Sequence, residues 1–187
     1  PLPEPCHKYG LYLFLDGARL GYGLAAPDND LTLPEIAALC DVFYIGGTKV
    51  GALFGEAVVI KNPELAQDFR YLIKQNGGML AKGRLLGLQF DALFTDGLYQ
   101  EISAHAIAMA EKLREAFTAK GYTYLAPNRT NQIFVIVPDA HLAKISEQFE
   151  YSYDQRIDAT HSCVRFCTGW ATREENVDAL IRCVEKM

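Results

Sequence analysis

An acid and an amine stand out in this sequence because each follows a short apolar run. Asp16 begins an Asp-Gly-Ala-Arg stretch directly after the apolar residues 11–15, and Lys49 ends a Gly-Gly-Thr-Lys stretch directly after the apolar residues 42–45. Such runs are typical of buried strands, and ligands bind at the carboxyl ends of strands in open α/β sheets. The sequence therefore predicts that the Asp16 carboxylate and the Lys49 amine lie near one another at one sheet edge.

This pair of groups suits the chemistry of pyridoxal 5′-phosphate (PLP). A lysine amine can bond covalently to the cofactor aldehyde, and a carboxylate can hold the ring nitrogen protonated so that the ring withdraws electrons. Each residue also has an ordinary interpretation, since Asp-Gly after a strand is often only a turn and a loop lysine is usually a solvated charge. Their order and spacing together favour the PLP hypothesis.

Four motifs occur here in the order that they have in low-specificity threonine aldolases and their beta-eliminating lyase relatives. They are Asp-Gly-Ala-Arg-Leu at 16–20, Asp-Val-Phe-Tyr at 41–44 leading into Thr48 and Lys49, Gly-Gly-Met at 77–79 and Val-Arg-Phe at 164–166. The sequence resembles this family, within the fold-type I aspartate aminotransferase superfamily, over nearly its whole length. The resemblance implies an α/β fold: residues 1–100 form part of the large PLP-binding domain, with a mainly parallel sheet and helices, and residues 101–187 form a small C-terminal α+β domain.

The same resemblance implies a reaction and assigns roles to residues. The reaction is cleavage of the Cα–Cβ bond of a β-hydroxy amino acid, threonine or allo-threonine giving glycine and acetaldehyde. The implied roles are Lys49 and Asp16 in catalysis, Asp16, Arg19, Thr48 and Lys49 in PLP binding, and Arg165, Arg19 and Lys74 in substrate binding. Arg165 stands in an alternating strand and by default faces water, but a guanidinium can bind the substrate α-carboxylate through two parallel hydrogen bonds.

Two alternatives remain open at this point. The first is another PLP-dependent beta-eliminating amino-acid lyase, which would use Asp16, Lys49 and Arg165 but a substrate with a different leaving group. The second is a non-catalytic structural domain that merely keeps the fold. The resemblance also implies that roughly half of the family's chain, with the phosphate-binding loop, precedes the first residue here. We therefore expect this part alone to be inactive. The expected partners are the missing N-terminal portion of the same enzyme, an amino-acid substrate and further copies of the enzyme in a homodimer or homotetramer.

Basic residues flank the Gly-Gly turn at 77–78, and their role has two interpretations. Lys74, Lys82 and Arg84 either reach a cofactor phosphate, in the same or in a neighbouring subunit, or form a solvated helix end. The family's usual Arg-Gln pair is replaced here by Leu and Ala at 80–81, so only Lys74 keeps a role that the resemblance implies. For the catalytic base, the sequence places none of the four histidines near Asp16 or Lys49.

Composition narrows the classes of partner. The net charge is −5 and the basic residues are scattered, which argues against a nucleic-acid surface. No apolar stretch reaches the roughly 18 to 20 residues of a membrane span, and no leader is evident, so we expect a cytoplasmic protein. The cysteines are odd in number and lack CxxC spacing, so neither a disulfide framework nor a metal site is expected.

The elements that must position these residues follow from periodicity and capping signals. A helix is predicted over 33–39 after a Thr32–Glu35 capping box, and another over 63–74 after an Asn62 cap. Two helices are predicted between 80 and 119, with a break near 95–97, and one over 139–149. A last helix is predicted to follow a second capping box at 172–175 and to end at Met187. Besides 11–15 and 42–45, predicted strands span 56–60, 122–125, 132–137, 151–157 and 161–167. The strands after Gly121 predict an antiparallel sheet that carries Arg165.

Overall fold

A computed structural model describes residues 3–187 of the protein. The described chain divides into two units. The first comprises the residues up to Leu24 and Asn29–Glu101, and the second comprises Ala25–Asp28 and Ile102–Met187. Nowhere in residues 3–187 does a helix combine the length and the apolar character needed to cross a membrane.

The first unit combines short helices with one sheet. Its helices are α1 (Pro3–Lys8), α2 (Leu20–Leu24), α3 (Leu33–Leu39), α4 (Pro63–Ala66), α5 (Phe69–Gln75) and α6 (Arg84–Phe94), and its strands are β1 (Phe14–Leu15), β2 (Val42–Gly46) and β3 (Glu56–Ile60). The strand order is β1-β2-β3, with β1 parallel and β3 antiparallel to the central β2. The parallel pair brings the carboxyl ends of β1 and β2, and the loops that follow them, to the same edge.

Local signals placed several of these elements correctly. The capping box before α3 forms as predicted, since the Thr32 hydroxyl accepts from the Glu35 amide while the Glu35 carboxylate accepts from the Thr32 amide. The predicted break near 95–97 is a short 3₁₀ turn, Thr95–Gly97, and it separates α6 from α7 (Leu98–Ala119). Asp96 and Gly97 both have positive φ there, which ends the α6 helix.

Two elements predicted for the first unit, a strand and a helix, were predicted too long. The strand expected over 11–15 pairs only at Phe14 and Leu15, because the Asp41 carboxylate accepts the Leu13 amide at 2.8 Å and ends the ladder there. The helix expected over 63–74 is interrupted, since Gln67 is extended and Asp68 has φ 56°. Neither α4 nor α5 has a buried residue, so packing does not hold the two as one helix.

The second unit has an antiparallel sheet backed by helices. Most of α7 belongs to it, followed by β4 (Thr123–Tyr124), β5 (Gln132–Pro138), α8 (Asp139–Ile145), β6 (Ser152–Arg156), β7 (His161–Cys167) and α9 (Glu174–Glu185). The strand order is β4-β5-β7-β6, and each neighbouring pair is antiparallel. Strict alternation along β5 buries Ile133, Val135 and Val137 against side chains that include Phe117 of α7 and Leu180 of α9.

The second capping box, predicted at 172–175, does not form. The residue before α9 is Arg173, and no side chain caps the helix. The Thr172 hydroxyl instead accepts the Gly169 amide at 2.8 Å, within the turn that precedes the helix. The Thr172 hydroxyl is therefore occupied by a donor of its own turn and does not cap the helix. The helix ends at Glu185, slightly before the predicted Met187.

Candidate active site

The loops that follow β1 and β2 touch through their backbones. The Gly46 amide donates to the Gly17 carbonyl at 2.9 Å. A β-carbon on Gly17 would collide with the carbonyl oxygen of Tyr44, and one on Gly46 would lie 2.5 Å from the carbonyl oxygen of Gly17. Only glycine at both positions permits this approach, which sets the Asp16 loop directly beside the end of β2.

The Asp16 carboxylate is held from one side. Its Oδ1 accepts hydrogen bonds from the Ala18 amide at 3.0 Å and from the Tyr44 hydroxyl. These two hydrogen bonds, with the nearby charges of Lys49 and Arg19, lower the pKa of Asp16 despite some desolvation. The other oxygen, Oδ2, accepts no hydrogen bond from any residue in 3–187, so Asp16 presents an ionised oxygen that is free to accept a proton donor.

The Lys49 amine is exposed and without a hydrogen-bond or ion-pair partner in the described part of the chain, although its charge reaches Asp16. Its backbone, by contrast, is fixed: the Tyr22 hydroxyl donates to the Lys49 carbonyl at 2.5 Å. Tyr22 itself is 1% exposed. The structure therefore brings the predicted acid and amine together, on a rigid backbone, with the amine left available.

Glu56 fastens the loop that carries Lys49. Its carboxylate accepts the Gly47 amide at 2.5 Å and the Thr48 hydroxyl at 3.2 Å. Glu56 begins β3 directly opposite Gly46, so the antiparallel register of β2 and β3 puts its side chain at the loop. Thr48, predicted to bind the cofactor, thus orients its hydroxyl toward Glu56.

Tyr99 lies beneath both loops and links them. It is 2% exposed, its hydroxyl accepts the Gly21 amide at 3.1 Å, and the same hydroxyl donates to the Gly46 carbonyl at 3.0 Å. Burial raises the pKa of Tyr99 to about 12, so the hydroxyl stays protonated throughout the physiological range. The Tyr99 hydroxyl is therefore available as a donor to Gly46 at neutral pH.

Arg165 lies on β7 of the second unit. Its guanidinium is 3.4 Å from Gln132 Oε1, 3.5 Å from Ser152 Oγ and 5.9 Å above the Phe134 ring. Its Nε is buried and has no partner in residues 3–187. Both hydrogen bonds are long and go to neutral groups, and no carboxylate in residues 3–187 pairs with the guanidinium. Its positive charge therefore remains available for an anionic group. The role of Arg165 in substrate binding stays a prediction.

Within residues 3–187, no hydrogen bond or ion pair joins the basic residues around the Gly-Gly turn to Asp16 or Lys49. Lys74, on α5, and Arg70 line an open cleft of about 700 Å³ together with residues 78–81. Lys74, Lys82 and Arg84 are exposed. Their proposed contact with a phosphate or substrate therefore stays a prediction.

No histidine is positioned to act as the base within the first unit's described residues. His7 pairs with Asp41 at 3.4 Å, at the start of β2 and so at the opposite end of the strand from Gly46. The remaining histidines belong to the second unit and contact the Thr172 carbonyl (His105, 2.7 Å), the Tyr122 hydroxyl (His141, 2.7 Å) and the Asp158 carboxylate (His161, 3.1 Å).

Sequence reasoning missed the residues that hold the acid and the amine in place. These are Tyr22, Tyr44, Glu56 and Tyr99. Glu56 had a usable signal, because pairing the predicted strands 42–45 and 56–60 as a hairpin places it opposite Gly46. The tyrosines had none, since their partners are 27 or more positions away along the chain.

The donor set at this edge fits PLP. The free Asp16 oxygen suits a protonated ring nitrogen, the unpaired Lys49 amine suits an aldehyde, and Arg19 adds positive charge beside them. The two groups are carried by adjacent strand ends and have no competing partners in the described chain. An acid and an amine therefore lie at one sheet edge, as the sequence predicted, and both are available to PLP.

Comparison with known proteins gave matches along most of the chain. The family model described as "Beta-eliminating lyase" matches residues 2–140. The low-specificity L-threonine aldolase of Pseudomonas sp. (strain NCIMB 10558) is 31% identical over 179 residues, which cover 94% of this chain and 50% of that protein. The structure of Leishmania major threonine aldolase is 41% identical, with a TM-score of 0.96 over 99% of this chain and 54% of that one.

A more distant structure shares the fold alone. Sphingomonas wittichii serine palmitoyltransferase is 17% identical, with a TM-score of 0.68 over 99% of this chain and 49% of that one. The predicted α/β fold class of the fold-type I enzymes is confirmed by these structural matches. The chain spans about half the length of the curated relatives it matches.

Proposed function

Because this chain belongs to the beta-eliminating lyase family, we propose that it is part of a PLP-dependent aldehyde-lyase that cleaves the Cα–Cβ bond of a β-hydroxy amino acid. Threonine or allo-threonine would give glycine and acetaldehyde, as the names of the two threonine aldolase relatives suggest. The single observation that carries the proposal is the placement of Asp16 and Lys49 after the ends of adjacent parallel strands, near enough for the Lys49 charge to act on Asp16. The rest of the family's length would be supplied by the remainder of the same enzyme.

Each residue of the edge has a defined task in this proposal. Lys49 binds PLP covalently through its amine and, when released, can carry a proton to or from the substrate. Asp16 accepts the hydrogen bond of the protonated ring nitrogen through Oδ2, and Arg19 and Thr48 contribute to cofactor binding. When bound, PLP supplies an electron-withdrawing ring conjugated to the substrate nitrogen.

Substrate orientation decides which bond at Cα breaks. We assign the grip on the substrate α-carboxylate to Arg165, with Arg19 and Lys74 as further contacts, because a fixed carboxylate fixes the rotation about Cα. In the cleavage, the substrate hydroxyl loses its proton as Cα–Cβ breaks, and Cα gains a proton. Among residues 3–187 we assign no base to the first of these proton transfers.

The family match favours a second candidate function. An elimination at Cβ, as in other PLP-dependent beta-eliminating lyases, would use Asp16, Lys49 and Arg165 unchanged. Substrate profiling separates the two, because an aldolase releases glycine and an aldehyde, whereas an elimination releases an α-keto acid and ammonia.

We also propose a domain division and an oligomeric state for this enzyme. We assign residues 1–100 to the PLP-binding large domain and 101–187 to a small C-terminal domain, although the first two residues lie outside those that the structure describes. We further propose a cytoplasmic homodimer or homotetramer that contains the N-terminal portion of the enzyme.

The test is reductive trapping in the full-length enzyme. Borohydride reduction followed by peptide mapping should place a pyridoxyl-phosphate group on Lys49, and Lys49→Ala should abolish turnover with a change in unfolding free energy below about 1 kcal/mol. The exposed Lys61, at the end of β3, offers a matched control, since Lys61→Ala should retain both the adduct and the activity. Turnover by Lys49→Ala would remove Lys49 from the mechanism.

A further inference from the structure

The Tyr44 hydroxyl makes one contact that neither the motifs nor the family match accounts for. Tyr44 stands on the central strand β2, and its hydroxyl donates to Oδ1 of Asp16. Asp16 Oδ1 thereby accepts two hydrogen bonds, one from Tyr44 and one from the Ala18 amide. Both donors bind the same oxygen, so Oδ2 is left without a hydrogen-bond donor among residues 3–187.

We propose that Tyr44 is a positioning residue whose hydroxyl, by donating to Asp16, keeps the proton on the ring nitrogen of bound PLP. This inference rests on the proposed function. A donor on Oδ1 withdraws negative charge from the carboxylate and lowers its affinity for a proton. The proton shared between Asp16 Oδ2 and the ring nitrogen then stays on the nitrogen, where it makes the ring electron-withdrawing.

The surroundings of Asp16 and Tyr44 support this direction of effect. The charged groups that act on Asp16 are Lys49 and Arg19, and both also stabilise its ionised form. Glu56 and Asp16 act on Tyr44, and the hydrogen bond to Asp16 is the main cause that raises the pKa of Tyr44 to about 12. The phenol is therefore a permanent donor at any pH at which the enzyme would work.

The rest of Tyr44 is anchored independently of its hydroxyl. Its ring lies 6.1 Å from the Phe14 ring, centroid to centroid, and its backbone pairs with Val58 across the sheet. Replacement by phenylalanine therefore removes the donor while it keeps the packing. Tyr71 offers the matched control, because it is 74% exposed and its hydroxyl has no hydrogen-bond partner in the part of the chain that the structure describes.

The experiment is ¹⁵N NMR of the full-length enzyme loaded with PLP that carries ¹⁵N in its ring. In the wild type, the resonance should report a protonated nitrogen, and Asp16→Asn should give the unprotonated limit. Tyr44→Phe should move the resonance toward that limit, weaken PLP binding three- to tenfold and lower kcat about tenfold with little change in KM. Tyr71→Phe should match the wild type.

The outcomes separate the two proposals. An unshifted resonance with unchanged PLP affinity in Tyr44→Phe overturns the role of Tyr44 and leaves the proposed function intact. Absence of bound PLP in the wild type overturns both. Should Tyr44→Phe fold poorly, 3-fluorotyrosine placed at position 44 provides the second variant. Its stronger donor should keep the resonance at the protonated value up to a higher pH than in the wild type, and an unchanged pH dependence of the resonance contradicts the proposal.

Discussion

The two units differ in how they use apolar surface. The second unit closes its own core, with Phe117, Ile133 and Val135 fully buried. In the first unit, α4 and α5 bury no residue, and Leu53, Tyr71 and Leu88 are 60% or more exposed. The candidate active site nevertheless lies in the first unit, on a small set of buried tyrosines and glycines. The helices α4 and α5 of the first unit therefore contribute little buried apolar surface, in contrast to the core of the second unit.

The largest expected difference in unfolding free energy is between two leucine-to-alanine substitutions, one on a helix of each unit. Leu113 on α7 is 4% exposed and Leu88 on α6 is 60% exposed. Leu113→Ala should lower the free energy of unfolding by about 2–5 kcal/mol, because it leaves a cavity, whereas Leu88→Ala should cost under about 1 kcal/mol. Urea unfolding of both variants measures this, and equal losses would contradict the comparison.

The same pair of substitutions in the full-length enzyme tests whether the exposed face of α6 is covered there. If the remainder of the enzyme or another copy covers α6, the loss for Leu88→Ala should rise above about 1 kcal/mol there, while that for Leu113→Ala stays the same. A loss at Leu88 that is unchanged would show that this apolar face remains open in the whole protein.

An intermediate effect should come from the ion pairs of Glu111 in the second unit. Its side chain is 23% exposed and pairs with Arg114 and Arg129. Burial raises the pKa of Glu111, but its two arginine partners outweigh burial and the net pKa is lowered. Glu111→Gln should therefore cost about 1–2 kcal/mol of unfolding free energy at pH 7, after allowance for the partial exposure.

The sign of the pH dependence follows from the lowered pKa. Ionised Glu111 stabilises the fold fully above the ordinary value of 4.5, and this contribution is lost as the pH falls through the lower, folded value. The unfolding free energy of Glu111→Gln should thus depend less on pH below 4.5 than that of the wild type. The exposed Glu115 is the matched control: Glu115→Gln should change the unfolding free energy at pH 7 by under about 0.5 kcal/mol.

The smallest effect should come from the capping box of the first unit. Thr32→Ala removes the acceptor for the Glu35 amide and should cost about 1 kcal/mol, whereas Thr32→Ser, which keeps the hydroxyl, should cost a few tenths. Thermal unfolding compares them. Identical losses would show that the methyl group of Thr32, and not its hydroxyl, matters for α3.

Prediction from sequence succeeded where the signal was local. The capping box at Thr32, the break at 95–97 and the strand at 132–137 each depend on residues that are near one another in the chain, and each was confirmed. It failed where a long-range contact intervened. The Asp41 side chain shortens β1 by accepting the Leu13 amide, which no periodicity in residues 11–15 could reveal.

For the candidate site, the sequence by itself determined the acid and the amine, because each directly follows an apolar run and the order of strands sets their edge. Only the tertiary structure decided how they are held. The Tyr44 hydroxyl reaches Asp16, Glu56 fastens the Lys49 loop and Tyr99 links both loops. These bonds join residues that are distant in the chain, and hydrogen-bond geometry at that range depends on strand register and packing, which a one-dimensional pattern does not contain.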